Sequence, residues 1–165
     1  MPADDFRFLS GHFRVHHQRL AERLVGSEEW LKFDMELWGY PVMDGASFVD
    51  EMRGTIDDKP FWGMTHRIYD PAHEEWSLYW SDTSEPGLCP PMRGKFEDGT
   101  GEFLGHDVED GRPVLVRFTW TNTDTPLPRW EQAFSTNAGK TWETNWIMEF
   151  ERISDSDSQH PDRIF

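Results

Sequence analysis

The stretch WLKFDMELW, Trp30–Trp38, alternates apolar and charged residues along its length. Leu31, Phe33, Met35 and Leu37 occupy every second position, and a lysine, an aspartate and a glutamate lie between them. Successive side chains of a β-strand point to opposite faces of its sheet, so this period of two predicts a strand with one buried face. The fold class follows from how often the chain repeats this pattern.

The same alternation recurs in EWSLYWSD and RPVLVRFTWTN, and turn signals such as Asp-Gly and Asp-Pro separate the repeats. Sequential antiparallel strands with short connections predict an all-β, single up-and-down antiparallel barrel, in which closure removes the exposed sheet edges. We predict about ten strands, at residues 12–20, 30–38, 46–56, 61–70, 75–82, 92–96, 101–109, 112–122, 129–137 and 140–153.

The chain has 165 residues, which suits one domain with a sizeable core. We assign residues 1–153 to the barrel domain. The last twelve residues, SDSDSQHPDRIF, are polar and acidic, so we expect residues 154–165 to be a disordered tail.

The net charge is −15, from 16 basic and 31 acidic residues. Nucleic acid and anionic membrane surfaces repel such a chain, so we expect neither as a partner. The N-terminus lacks an apolar segment with basic residues before it, which predicts no signal peptide. Cys89 is the single cysteine, which fits a reducing compartment, so we expect a cytoplasmic protein. A second copy of the chain is a candidate partner, in a homodimer.

The stretch STNAGKTWE, residues 135–143, resembles the Asp-box hairpin of sialidase-type propellers, with Asn137 in the aspartate position. Propellers carry this motif in several blades of about 40–50 residues each, but here it occurs once in a short chain. We therefore interpret it as the loop of one barrel hairpin, held by Ser135 and Asn137 and covered by Trp142.

Five spaced segments resemble a bacterial lipocalin-like, calycin-type domain family of unknown function. They are FRFLSGHFRVHHQRL, EEWLKFD, PVMDGASFVDE, YDPAHEEWSLYWSD and RWEQAFSTNAGKTWETNWIMEFER, and together they extend from Phe6 to Arg152. The resemblance implies a small closed barrel around a cavity and does not imply a reaction.

Nine tryptophans and twelve phenylalanines are many for this length, and aromatic side chains both fill cores and line small-molecule pockets. We predict that the barrel binds a small, mainly hydrophobic or aromatic molecule. The candidate ligand-binding residues are polar or aromatic positions within the predicted strands: Arg14, Tyr79, Trp80, Arg117, Trp120 and Asn145.

The alternative is a cofactor-independent isomerase, cyclase or hydrolase that acts on a hydrophobic metabolite by proton transfer. His16, His66 and Glu131 are its candidate catalytic residues, and it requires a histidine within hydrogen-bond reach of a carboxylate in an open pocket. Nitrobindin-type barrels, a related calycin group, bind haem through a histidine, and His106 would join His16 and His66 as a candidate axial ligand. No accompanying haem or metal motif is present, so we predict no cofactor and no metal, and an unreactive thiol at Cys89.

Overall fold

The computed structural model describes residues 4–156, which form a closed barrel of ten antiparallel strands. Each strand pairs with its neighbours in the chain, and the first strand also pairs with the last, so the predicted up-and-down barrel is confirmed. The strands are β1 (Gly11–Leu20), β2 (Trp30–Val42), β3 (Ser47–Ile56), β4 (Lys59–Asp70), β5 (Glu75–Asp82), β6 (Met92–Glu97), β7 (Thr100–Glu109), β8 (Arg112–Thr121), β9 (Arg129–Ser135) and β10 (Glu143–Ser154).

The predicted alternation sets which side chains enter the barrel. Met35 and Leu37 of β2 are buried inside it, as are Val114, Val116 and Trp120 of β8. The charged residues between the apolar positions of β2 lie on the outer face. One buried face per strand therefore builds the core, as the period of two predicted.

Strand β2 is longer than predicted. The predicted strand ends at residue 38, but β2 continues to Val42, and Met43–Gly45 forms a 3₁₀ turn. β1 begins opposite Gly39, so Pro41 lies beyond the end of β1 and pairs only with β3. The N–H that proline lacks therefore removes no hydrogen bond between β2 and β1.

The N-terminal segment closes one end of the barrel. A 3₁₀ turn at Arg7–Leu9 precedes β1, and Phe6 and Leu9 are fully buried. The Phe6 ring packs edge-on against Trp76 with centroids 5.0 Å apart, and edge-on against Phe96 at 5.3 Å. We call residues 6–9 the floor segment.

The loop between β9 and β10 has the hairpin form predicted from STNAGKTWE. Ser135 Oγ accepts the N–H of Gly139 at 2.8 Å, and Asn137 Oδ1 accepts the N–H of Thr141 at 2.9 Å. Ala138 (φ 60°) and Gly139 (φ 83°) occupy the left-handed positions of the loop. The motif is thus a device for loop stability in this protein.

β10 ends at Ser154, and most of the predicted tail at 154–165 lies outside the described residues. Within residues 4–156, no helix has the length and apolar character needed to cross a bilayer.

Candidate ligand cavity

A cavity of about 160 Å³ lies inside the barrel, above the floor segment. Its lining is dominated by aromatic and aliphatic side chains, because the inner face of each strand carries them. Cys89 and Pro90 from the β5–β6 connection border it, and that connection lies at the end of the barrel opposite the floor. The aromatic members of the lining are Phe61, Trp80, Phe118, Trp120, Trp130, Phe134, Trp146 and Phe150.

Gly63 explains how one of these large rings fits. A Cβ atom at Gly63 would lie 2.1 Å from Cη2 of Trp80, on the neighbouring strand. The glycine therefore leaves the space on the inner face of β4 that the indole of Trp80 occupies, and the indole N–H is held by Asp82 at 2.9 Å.

The β1–β2 connection crosses the end of the barrel opposite the floor. The backbone N–H of Leu24 donates to Glu143 Oε1 at 2.8 Å, and Arg23 Nε donates to Glu109 at 2.8 Å. These bonds tie the connection to β10 and to β7, so the mouth of the cavity is partly covered.

An ion pair lies within the apolar cavity wall. Arg67 Nη1 donates to Asp50 Oδ2 at 2.5 Å, and the two side chains are only 5% and 2% exposed. The Arg67 guanidinium carbon lies 4.8 Å from the centroid of the Phe6 ring, so the pair contacts the floor segment. Burial raises the pKa of the Asp50 carboxyl, and the attraction of Arg67 opposes that rise.

The hydrogen bonds of this pair are unequal. Asp50 accepts from Arg67 and also from the backbone N–H of Thr65. Arg67 Nε is buried and has no acceptor among the described residues. A guanidinium has five N–H groups to place, so Arg67 has more donors than the described residues have acceptors for it.

His17 is a second buried polar group on the inner face of the barrel. Its ring stacks on Phe33 at 4.7 Å, and its Nδ1 accepts the indole N–H of Trp146 at 3.0 Å. Burial lowers the pKa of His17 to about 3, so the ring is neutral near pH 7 and carries its proton on Nε2.

This burial predicts a pH dependence of stability. Between about pH 3 and pH 6.5 the unfolded chain binds a proton at His17 that the folded chain does not, so stability rises with pH in that window. Replacing His17 with glutamine should flatten the dependence by up to about 1.4 kcal/mol per pH unit, measured by urea unfolding from pH 4.5 to 7.5.

The neighbouring histidine supplies the control. Hydrogen bonds to Glu151 and Asp34 raise the pKa of His16, so its contribution is present at low pH and is lost as pH rises through that pKa. His16→Gln should therefore change the pH slope in the opposite direction. Equal slopes in the two variants would contradict the burial of a neutral His17.

A side-chain amide pair adjoins the cavity. Gln132 lines the cavity and donates from Nε2 to Asn145 Oδ1 at 2.9 Å. Asn145 is fully buried at a register shift between Thr144 and Trp146, which turns it out of the regular alternation. Together with the Asp50–Arg67 ion pair, it adds a fixed polar patch to a mainly apolar wall.

The sequence-predicted ligand residues divide into two groups. Trp80 and Trp120 line the cavity, and Asn145 contacts it through Gln132. The others alternate with cavity or core residues and therefore lie on the outer face of the barrel: Arg14, Tyr79 and Arg117, together with His16, His66 and Glu131.

The structure does not bring the proposed catalytic residues together. His16 is hydrogen-bonded on the outer surface to Asp34 at 2.8 Å and to Glu151 at 2.9 Å. Glu131 forms an ion pair with Arg129 at 2.8 Å. His66 precedes Arg67 on β4, so its side chain is on the opposite face of that strand. The acid-base alternative required a histidine and a carboxylate facing one pocket, and this arrangement does not provide them from those residues.

Three other groups were considered from the sequence. His106 borders the cavity mouth, apart from His16 and His66. Burial raises the pKa of the Cys89 thiol, which disfavours its thiolate. Among residues 4–156, no three His, Cys, Asp or Glu side chains group in a way that could hold a metal ion.

Asp50 and Arg67 were missed as cavity residues because a charged strand residue is usually on the wet face. A signal was present in each strand. Asp50 lies between Phe48 and Met52 on one face of its strand, and Arg67 lies on the same face of its strand as Phe61. Both are polar residues at positions that the pattern assigns to the core.

Comparison with known proteins supports the fold. No protein-family model and no curated protein matches the sequence. Among solved structures, the S-type phycobiliprotein lyase CPES from Guillardia theta superposes with a TM-score of 0.59 over 92% of this chain and 93% of its own. The two sequences are 14% identical. The chain therefore shares a lipocalin-like barrel fold with this lyase.

Proposed function

We propose that the protein binds a small, mainly aromatic molecule in the barrel cavity. The observation that carries the proposal is a cavity of about 160 Å³ whose lining is dominated by aromatic and aliphatic side chains. An engineered apolar cavity of roughly 150 Å³ in another protein stays dry and binds benzene. The volume here therefore suits a ligand of about one aromatic ring.

The energetic cost of the cavity supports this proposal. At about 24 cal/mol per Å³, an unfilled apolar space of about 160 Å³ costs about 4 kcal/mol of stability. That is a large share of the free energy of unfolding of a typical domain, which is about 5–15 kcal/mol. An apolar ligand regains dispersion contacts that the lining side chains otherwise lack.

The activity of the structural neighbour is not part of the proposal. A shared fold at 14% identity does not fix a ligand or a reaction, since one fold supports many functions. The proposal depends on the lining residues of this chain alone.

The test is binding of toluene, a single-ring hydrocarbon, measured by ligand-observed NMR and calorimetry. We expect a Kd on the order of 0.1–1 mM, which is about 4–5.5 kcal/mol of binding free energy. Val116 lines the cavity, and Val116→Phe fills it, so this variant should lose toluene binding.

The matched control is Thr119→Phe, because Thr119 lies on the same strand but on its outer face. This variant adds the same ring outside the barrel and should bind toluene as the wild type does. Absence of binding to the wild type, or equal binding by both variants, would refute a ligand site inside the barrel.

A further inference from the structure

We propose that the ligand carries a neutral hydrogen-bond acceptor, such as a carbonyl oxygen, which is bound by the guanidinium of Arg67. This inference rests on the function proposed above and adds the chemical class, a small aromatic ketone or aldehyde. It is carried by the unequal hydrogen bonding of the Asp50–Arg67 pair inside the cavity.

The unsatisfied partner of the pair is a donor. The Arg67 side chain is 5% exposed and lines the cavity, and its Nε has no acceptor among the described residues. One N–H of the guanidinium, on Nη1, reaches Asp50. Nε is itself enclosed by protein, so the donors that a ligand can reach are the Nη groups, for which Asp50 is the acceptor among the described residues. An acceptor on the ligand gains from them a hydrogen bond that little water competes for.

Asp50 does not need a hydrogen-bond donor from the ligand. Its carboxylate accepts from Arg67 and from the backbone N–H of Thr65, and neither of its oxygens is a buried atom without a partner. A ligand amine or hydroxyl would therefore have to displace a bond that already exists. The pair selects an acceptor.

Charge decides between a neutral acceptor and a carboxylate. Asp50 already neutralises Arg67 at 2.5 Å, so the pair has no net charge to offer an anion. A ligand carboxylate would lie near the Asp50 carboxylate in a water-poor site, within a chain of net charge −15. The ligand class is therefore a neutral carbonyl compound and not an aromatic acid.

The experiment compares three single-ring ligands of similar shape: acetophenone, isopropylbenzene and benzoate. Isopropylbenzene has a methyl group in place of the carbonyl oxygen, so the ratio of its Kd to that of acetophenone isolates the acceptor. The same ratio is measured in the double variant Asp50→Leu/Arg67→Met, which replaces both charges by apolar groups.

We expect the ratio to fall about tenfold or more in the double variant, as for a hydrogen bond to a charged donor. Benzoate should bind the wild type at least about tenfold more weakly than acetophenone, as expected for a like charge placed near Asp50. An unchanged ratio, or benzoate as the tightest ligand, would overturn the inference.

A second measurement needs no variant. The carbonyl carbon of ¹³C-labelled acetophenone should move downfield in the wild-type complex relative to its position in cyclohexane, because the oxygen accepts a hydrogen bond. A bound resonance at the cyclohexane position would overturn the inference. Failure of all three ligands to bind would instead count against the proposed function itself, so the two failures are distinguishable.

Discussion

Replacing Phe6 with alanine is expected to lower the free energy of unfolding by about 3–5 kcal/mol. Phe6 is fully buried in the floor segment, and its ring lies 5.0 Å from Trp76, 5.3 Å from Phe96 and 5.9 Å from Phe103. The rings come from three different strands, so their backbones cannot close over the space together. The substitution leaves a cavity at the closed end of the barrel.

The measurement is equilibrium unfolding in urea, with Arg7→Ala as the control. Arg7 is adjacent in sequence, and its side chain is exposed and paired with Asp4 at the surface. An exposed pair of this kind contributes about 0–1 kcal/mol. If both alanine variants had the same stability, the floor segment would not be closing the barrel.

Replacing Arg67 with methionine is expected to cost about 3–5 kcal/mol, because it leaves the Asp50 carboxylate buried without its partner. The paired replacement Asp50→Leu/Arg67→Met should recover most of that loss, since apolar pairs often substitute for buried ion pairs without a penalty. Chemical denaturation of the two variants at pH 7 makes the comparison.

The pH dependence of the single variant gives an independent check. Removing Arg67 removes the attraction that holds the pKa of Asp50 down, so that pKa rises further above its unfolded value. A raised carboxyl pKa contributes stability at low pH that is lost as pH rises through it. The loss caused by Arg67→Met should therefore be smaller at pH 5 than at pH 8. A pH-independent loss, with no recovery in the double variant, would show that Arg67 acts by packing alone.

The barrel could be predicted from the sequence because its information is local. Alternation in WLKFDMELW and RPVLVRFTWTN identifies strands, and Asp-Gly bends separate them, without knowledge of distant contacts. The lipocalin-like fold implied by the family resemblance is confirmed. Membership of that family remains a prediction.

The cavity could be predicted only in part, because it depends on register. Asp50 lies directly opposite Thr65, and Arg67 lies opposite Phe48, so the ion pair is a diagonal contact between two strands. The sequence around either residue does not show that the other lies close enough to neutralise its charge. His16 was selected as the candidate of β1, whereas the histidine that shares the inner face of Phe13 and Val15 is His17.

The pairing of β1 with β10 bears on how the protein is made. Val15 lies opposite Phe150, so the strand that leaves the ribosome first must wait for the last one before its second edge is covered. At about 5–20 residues per second, that delay during translation is on the order of ten seconds. Until then β1 can form its hairpin with β2 but presents a free edge to other chains. Barrel closure therefore waits for the synthesis of β10, and until then the free edge of β1 makes crowded nascent chains prone to aggregation.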